Sequence, residues 1–380
     1  MARVGIYESD YEHIERAVER AFEAHGPPVA GRSVLLKPNI LGAAPPERHV
    51  NTHPSLVRAA IRALRRRGTA RIMVGDNSGM MAYGSNEDAA RTAGILAVAG
   101  DYYVNLGADP VRVPVRSLLR PDPYGSLLRP DPYGSAFAAE LAFSRQVLEA
   151  DVLVSLPKMK THVATGITGA VKNSFGHLVG AEKTRLHREA RGPENFAQAV
   201  VDVFQVRRPD LVILDAVVAM EGQGPSGGRP RQVGRVLASS SAVALDTVMA
   251  TMMGLEPRRV PMLRIAEGRG LGPADLAAIA VEGPLEVVPR FSCPPIGMGL
   301  GALVSRIGAT FLPPWPKTRY ERCVKCGSCV QACPVEAIAM ADRGPVIDYG
   351  RCIRCFCCHE MCRYEAMDLG RRLRFGRRGR

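Results

Sequence analysis

Eight of the ten cysteines fall in two matching runs toward the C-terminus. Cys323, Cys326, Cys329 and Cys333 form the first, followed by Pro334; Cys352, Cys355, Cys358 and Cys362 form the second. Both have the spacing C-x2-C-x2-C-x3-C, the bacterial iron–sulfur ligand pattern. Three thiolates at intervals of three wrap one cluster in a tight loop, whereas the fourth lies beyond a turn and ligates the other cluster. The spacing predicts two [4Fe-4S] clusters, one held by Cys323, Cys326, Cys329 and Cys362, the other by Cys352, Cys355, Cys358 and Cys333. Paired CxxC motifs also make tetrahedral zinc sites, but eight ligands in two identical runs argue against zinc. Cys357 is expected to be a small buried side chain rather than a thiol that exchanges with Cys358. Cys293, alone before Pro294 and Pro295, is expected to be structural.

A second concentration of chemistry runs from 157 to 187. It contains Lys158, Lys160, Thr161, His162, Thr165, Thr168, Lys172, Asn173, Ser174, His177, Lys183 and His187. A strand over 151–156 would deliver Lys158 and Lys160 to its C-terminal end, and a helix is expected to begin near Thr168. Free N–H groups at a helix start, together with lysines, make a site for a phosphate or carboxylate. Histidines titrate near neutrality and suit proton transfer or metal binding; the bland alternative is a solvated basic loop. Lesser polar groups close other strands: Lys37-Pro38-Asn39, Asp76-Asn77-Ser78-Gly79, and Asp215. The run Met220-Glu221-Gly222-Gln223-Gly224-Pro225-Ser226-Gly227-Gly228 suggests a backbone nest or a mobile lid. Asp246 either faces the same cleft or serves as a cap or surface residue. His162, Glu221 and Lys172 are the candidate catalytic residues; Lys37, Asn39, Asp76, Lys158, Lys160 and Asn173 are the candidate substrate-binding residues. No GxGxxG opens a helix after the first strand, and no Walker motif, HExxH or nucleophile elbow occurs.

The elements that must position these residues alternate. Apolar runs at 4–8, 33–41, 71–75, 102–106, 151–156, 211–215, 233–238 and 277–281 read as strands. Apolar residues at helical spacing mark 11–24, 54–67, 86–93, 242–253 and 260–268 as helices. Such alternation predicts an α/β fold, a Rossmann-like, largely parallel sheet covered on both faces, with ligands at the C-terminal strand ends. The expected division is a body over 1–295, a linker over 296–316, a small α+β ferredoxin domain over 317–368 and a basic tail over 369–380. Residues 117–125 repeat verbatim as 126–134. A nine-residue copy with two prolines and a glycine reads as a duplicated surface loop.

The 380 residues are 46% hydrophobic, which suits a globular chain of two or three domains. The formal net charge is +13, partly from a C-terminal arginine run that is expected to be a solvated tail. Without a zinc-finger, helix-turn-helix or RNA-binding signature, nucleic-acid binding is disfavoured. Thiolate ligands imply a reducing compartment. Neither a secretory signal nor a stretch of 18 apolar residues is visible, so no transmembrane segment is expected. The expected location is cytoplasmic.

The C-terminal segment, about 316–368, resembles a bacterial-type two-cluster ferredoxin, although Arg363 follows Cys362 where such domains usually carry proline. The body resembles the uncharacterised iron–sulfur family built on domain of unknown function 362. The matching pieces are Leu36-Lys37-Pro38-Asn39, Thr52-His53-Pro54 and Val74-Gly75-Asp76-Asn77. They continue through Pro157-Lys158-Met159-Lys160-Thr161-His162, Thr168-Gly169-Ala170-Val171-Lys172-Asn173, Met220-Glu221-Gly222-Gln223-Gly224-Pro225 and Ala244-Leu245-Asp246. The resemblance implies an α/β body, distantly similar to the N-terminal domain of nickel-pincer lactate racemase, and leaves the reaction open. The expected function is electron transfer to a small anionic substrate or cofactor bound in the body, with a redox partner protein. The alternative is a non-catalytic, ferredoxin-like electron-transfer adaptor of a larger redox complex.

Overall fold

The computed structural model describes residues 1–79, 85–117, 119–121, 128–130, 137–190, 192–294 and 314–371. A nine-stranded sheet forms the body. Its central strands are Leu211–Gln223, Val152–Leu156, Ser33–Pro38 and Arg71–Val74, paired parallel in that order. Strict alternation sorts their side chains. Leu211 and Ile213 enter one apolar core with Val34, Leu36 and Val154, while Val212 and Leu214 enter the other. Helices Ile14–His25 and Pro54–Arg66 cover the first face, and helices Pro193–Val206, Ala242–Met252 and Pro261–Gly268 the second.

Helix Pro54–Arg66 shows why the periodic signal was readable. Pro54 occupies its first position, where a missing N–H costs nothing, and the His53 ring accepts from Ser55 N at 3.2 Å. Leu56, Ala60 and Leu64 then fall on one stripe and are completely buried. Removing a leucine side chain of this kind from water is worth roughly 1.5–3 kcal/mol.

The sheet is mixed rather than Rossmann-like and largely parallel. Leu211–Gln223 and Gly227–Ser239 form one long antiparallel hairpin, and its second strand pairs antiparallel with Ala2–Glu8. Strand Ile279–Glu282 adds parallel to the far side of Ala2–Glu8. The polar half of Gly227–Ser239 reads as loop in sequence, yet it is held by main-chain pairing to its hairpin partner. The segment after residue 157 is likewise a strand pair, Lys158–His162 with Gly166–Thr168, not an open loop. The strand expected over 102–106 reduces to a single bridge between Tyr103 and Val74. Strands Leu119–Pro121 and Leu128–Pro130, one from each copy of the duplication, pair with each other.

The C-terminal region is small and rich in short strands. Pro314–Thr318 pairs with Met367–Arg371, and Ile338–Ala341 with Gly344–Ile347. Four-residue helices Ser328–Gln331 and Cys357–Glu360 occupy matching places in the two cysteine runs. Left-handed residues recur at matching positions too: Lys325 with Arg354, Gly327 with Phe356, and Glu336 with Glu365. The arginine-rich tail at 372–380, and most of the linker expected over 296–316, lie outside the described residues. Among the described residues, no helix is long and apolar enough to cross a membrane.

The helix expected near Thr168 is the short turn Ala170–Asn173, and its free N–H groups are already taken. Asp246, fully buried, accepts from Ala170 N at 2.7 Å and Val171 N at 2.9 Å. An intramolecular carboxylate thus fills the place assigned to an external anion. Gly169 permits the approach, because a Cβ there would overlap the Asp246 carboxylate. Asp246→Ala leaves two buried donors unsatisfied, at about 1–3 kcal/mol each. Both Asp246→Ala and Gly169→Ala are expected to lower the urea midpoint, and a wild-type midpoint in both would refute this role.

Candidate functional site

Two buried ion pairs stand on the sheet, Lys37–Asp76 at the C-terminal ends of parallel strands and Lys158–Asp215 between paired residues of neighbouring strands. Lys37 Nζ is 2.6 Å from Asp76 Oδ1, and Lys158 Nζ is 2.7 Å from Asp215 Oδ2, with all four side chains essentially removed from solvent. Asn173 Oδ1 receives Lys37 Nζ at 3.2 Å. Tyr11 OH donates to Asp215 at 3.0 Å and receives Lys158 Nζ at 2.9 Å. Burial lowers both lysine pKa values, and the adjacent carboxylates oppose that fall. Backbone crowds the first pair: a Cβ on Gly176 would overlap both Lys37 and Asp76.

Beside the Lys37 pair lies a polar cavity of about 60 Å³. Asn39, Asp76, Asn77, Lys160, His162, Thr168, Lys172, Asn173, Lys183, His187 and Glu360 supply its polar lining. Lys160 Nζ reaches the Val50 carbonyl at 2.9 Å, and Lys183 Nζ reaches the carbonyls of Asn77 at 2.5 Å and Ser78 at 3.0 Å. Lys172 Nζ lies 4.5 Å from the centre of the Phe175 ring and 5.4 Å from that of Phe196, which favours its cationic form. A larger, open groove of about 470 Å³ runs along residues 230–235 and 286–289, and none of the expected site residues lines it.

Glu360 comes from the C-terminal region, between Cys358 and Cys362. Its Oε1 stands 3.3 Å from His162 Nε2, so the cysteine-bearing region contributes one wall of the cavity. The seat is polar and specific. His359 meets Gln223 O at 3.0 Å through Nε2, and Ser226 donates to His359 O at 3.1 Å. Arg48 spans the seam, 2.6 Å from Glu365 and 3.0 Å from the Arg363 carbonyl. The glycine-rich run at 220–228 is therefore the tip of the long hairpin and the docking point for this region, not an anion nest.

The expected site residues separate into groups. Asn39, Asp76, Lys160, His162, Lys172 and Asn173 meet at the cavity, with Lys37 directly behind through Asp76 and Asn173. Lys158 belongs to the Tyr11–Asp215 cluster. Glu221 lies elsewhere on the hairpin, 3.3 Å from Arg229 and accepting from Ser292 N at 3.1 Å. Sequence reasoning did not select Lys183, His187 or Thr168 from the polar run, and Glu360 was hidden among the cysteines. A glutamate next to a histidine inside a cysteine motif is the one signal that pointed to it.

The cysteines of the two runs lie within reach of one another's charge. Burial pushes the Cys329 thiol up to about 11, with Cys362, Cys326 and Cys323 adding to the rise. Burial also raises Cys358 well above its usual range, helped by Cys355, Cys352, Cys329 and Cys333. Cys357 is fully buried against Ala332 and Met361, as a small core side chain. Among the described residues, however, no three or more His, Cys, Asp or Glu groups are placed to hold a metal ion. The expectation of two discrete [4Fe-4S] clusters is corrected on that ground. The thiols have other partners: Ala337 N donates to Cys333 Sγ at 3.1 Å and Ala366 N to Cys362 Sγ at 3.2 Å. Cys329, Cys358 and Cys362 pack with Ile338, Ile347 and Met367. Spacing brings the runs together but does not set the distances among their sulfurs.

A mixed α/β body with a seated ferredoxin-like region defines the class. Residues 34–251 match the family described as a domain of unknown function, number 362, and residues 316–339 match the 4Fe-4S binding domain. The first match spans more than half of the chain, and the chain belongs to that family, fused to a segment matching the second. A thylakoid-associated protein of Synechocystis is 33% identical over 244 residues, 64% of this chain and 70% of that protein. A Thermotoga maritima protein of known structure aligns at 13% identity and TM-score 0.41, over 66% of this chain and 61% of that one. The lactate racemase apoprotein of Thermoanaerobacterium thermosaccharolyticum aligns at 14% identity and TM-score 0.40, over 67% and 57%. The chain thus spans less than two thirds of either solved chain.

Protonation inside the cavity follows from burial. Burial brings Lys160 down from 10.5 to about 7, with the Lys172 charge adding to the fall and Glu360 opposing it. Burial brings Lys183 to about 7 as well, opposed by Asp76. Burial, reinforced by Lys172 and Lys160, holds His162 well below 6.5, so its ring is neutral at pH 7. A lysine whose folded pKa lies below its unfolded value makes the unfolded state bind more protons between the two values. Stability therefore rises with pH from about 7 to 10.5, and that gain is lost as pH falls back from 10.5 to 7. One such lysine supplies up to about 1.4 kcal/mol per pH unit. Lys160→Met is expected to flatten this rise in urea midpoints measured from pH 7 to 10; an unchanged slope would contradict the assignment.

Proposed function

We propose that the chain is a ferredoxin-like electron-transfer adaptor of a larger redox complex. The observation that carries this reading is the match of residues 316–339 to the 4Fe-4S binding domain, within a region seated on the body through His359, Glu360 and Glu365. The cavity where the candidate residues meet supports an adaptor over an enzyme. At about 60 Å³ it is far smaller than the roughly 300–1,000 Å³ of common small-molecule sites, and Glu360 takes up part of its wall. Catalysis by His162, Lys172 and Glu221 together would need a cleft that all three reach.

The outer surface of the ferredoxin-like region suits a protein partner. Tyr320, Val324, Met340, Val346 and Tyr364 are large hydrophobic residues exposed there. Arg343 lies over the Tyr320 ring at 5.9 Å and Arg363 over Tyr364 at 5.3 Å. Aromatic and arginine side chains are enriched at interfaces, and the +13 charge favours an acidic redox partner. We place the adaptor in the reducing cytoplasm; the thylakoid association of its Synechocystis relative fits a partner held at a membrane surface.

The test is electrochemistry on the full chain isolated without oxygen, followed by anoxic pull-down. A reversible redox couple is expected, together with a retained partner whose reduction survives Glu221→Gln and weakens at least several-fold in Val324→Asp. A chain that takes up no electrons from dithionite removes the redox reading. Loss of partner reduction in Glu221→Gln, with the couple intact, would favour the enzyme instead.

A further inference from the structure

The cavity beneath the ferredoxin-like region holds more cationic groups than its carboxylates balance. Asp76 balances Lys37 at 2.6 Å. Lys160 reaches a single carbonyl, and Lys183 reaches two. Lys172 Nζ has aromatic faces beside it, with neither a hydrogen bond nor an ion pair among the described residues. Thr168, only 4% exposed, lines the same space with its hydroxyl unpartnered. Glu360 is the carboxylate whose field reaches both Lys160 and Lys172, with Asp76 also acting on Lys160. Glu360 Oε1 is itself buried without a hydrogen bond, 3.3 Å from a histidine that burial keeps neutral.

We propose that this cavity binds a small free oxyanion of the inorganic phosphate class, with Lys160, Lys172, Lys183 and Thr168 as its donors, and that Glu360 is a built-in competitor for the same positive field. Anion binding and seating of the ferredoxin-like region then oppose each other. Size argues for a free ion. A cavity of about 60 Å³ is on the scale of a few water molecules; it suits a five-atom oxyanion and excludes a nucleotide. Donor chemistry agrees, since three ammonium groups and a hydroxyl supply only donors toward the centre. Lysine is a point-charge binder of phosphate, with no demand for a planar, bidentate ligand.

Geometry makes Glu360 the movable component. Lys160, Thr168 and Lys172 belong to the body and stand on sheet strands or the short helix beside them. Glu360 ends a four-residue helix in the C-terminal region, held to the body by polar contacts of His359 with Gln223 and Ser226 and of Arg48 with Arg363 and Glu365. An oxyanion bound among the lysines repels the Glu360 carboxylate and loosens that seat. As a control on the adaptor, this inference rests on the reading proposed above, because it assigns the anion a role in how that unit sits.

Isothermal titration of the full, oxidised chain with inorganic phosphate tests the site. Hydrogen exchange over 356–362, with and without phosphate, tests the competition. One phosphate per chain is expected, with affinity at least ten-fold weaker in Lys172→Met and several-fold weaker in Thr168→Val. Glu360→Gln is expected to tighten binding several-fold, and saturating phosphate to speed exchange over 356–362 in the wild type. Lys172 is partly exposed and Thr168→Val is nearly isosteric, so the two variants guard against a simple folding failure. Wild-type affinity in both, no gain in Glu360→Gln, no phosphate binding at all, or unchanged exchange over 356–362 overturns the proposal. Neither measurement involves electron transfer. Failure here leaves the adaptor standing, and loss of the redox couple with phosphate binding intact removes the adaptor while keeping the site.

Discussion

Burying an ammonium group in a protein interior is expensive unless a counter-charge or several acceptors come with it. This chain buries Lys37, Lys158 and Lys160 completely and Lys183 nearly so, and much of the architecture around the strand ends follows from that constraint. Asp76 follows strand Arg71–Val74 and meets Lys37 at the end of the neighbouring strand; Asp215 sits on the next strand but one and meets Lys158. The Lys37–Asp76 pair ties two adjacent strands together just past their last paired residues, and Lys158–Asp215 joins directly paired positions of two neighbouring strands. Removing one member of such a pair typically costs about 3–5 kcal/mol, so these residues hold the strand ends in register as well as shaping the site.

Lys160, Lys172 and Lys183 are left with weaker company, and this explains the position of the ferredoxin-like region. Its Glu360 reaches into the lysine-rich cavity, while His359 and Glu365 anchor on the hairpin tip and on Arg48. The long hairpin Leu211–Gln223 with Gly227–Ser239 therefore has two duties. It turns a parallel sheet into a mixed one, and it extends far enough to present Gln223 and Ser226 as a docking surface. Small residues at the tip are required for close approach: a Cβ on Gly227 would press against the His359 ring.

The cysteine runs show how far a linear motif reaches. The thiols of the two runs come within reach of one another, since Cys362 acts on Cys329 and both Cys329 and Cys333 act on Cys358, a pattern that does not separate them into the two expected sets. The repeated left-handed residues reveal a common turn geometry in both runs. The distances that would make the grouped sulfurs into metal sites are a separate matter, set by side-chain rotamers and by the backbone N–H groups that already donate to Cys333 and Cys362.

The sequence by itself determined the elements with strong periodicity or spacing. Helix Pro54–Arg66 with its buried Leu56 and Leu64, the parallel strands ending in Lys37 and Asp76, and the twin cysteine runs all depend on residues close together in the chain. Most of the cavity was legible too, because strand ends in an α/β sheet converge and Lys160, His162, Lys172 and Asn173 lie within one short segment. Only the tertiary structure decided the antiparallel hairpin, the removal of Glu221 and Lys158 from the cavity, and the occupation of the short helix start by Asp246. It alone brought Glu360 to His162, 198 residues earlier in the chain. These outcomes turn on which buried charge finds which partner. That is a competition among groups far apart in sequence, and local propensity has no term for it.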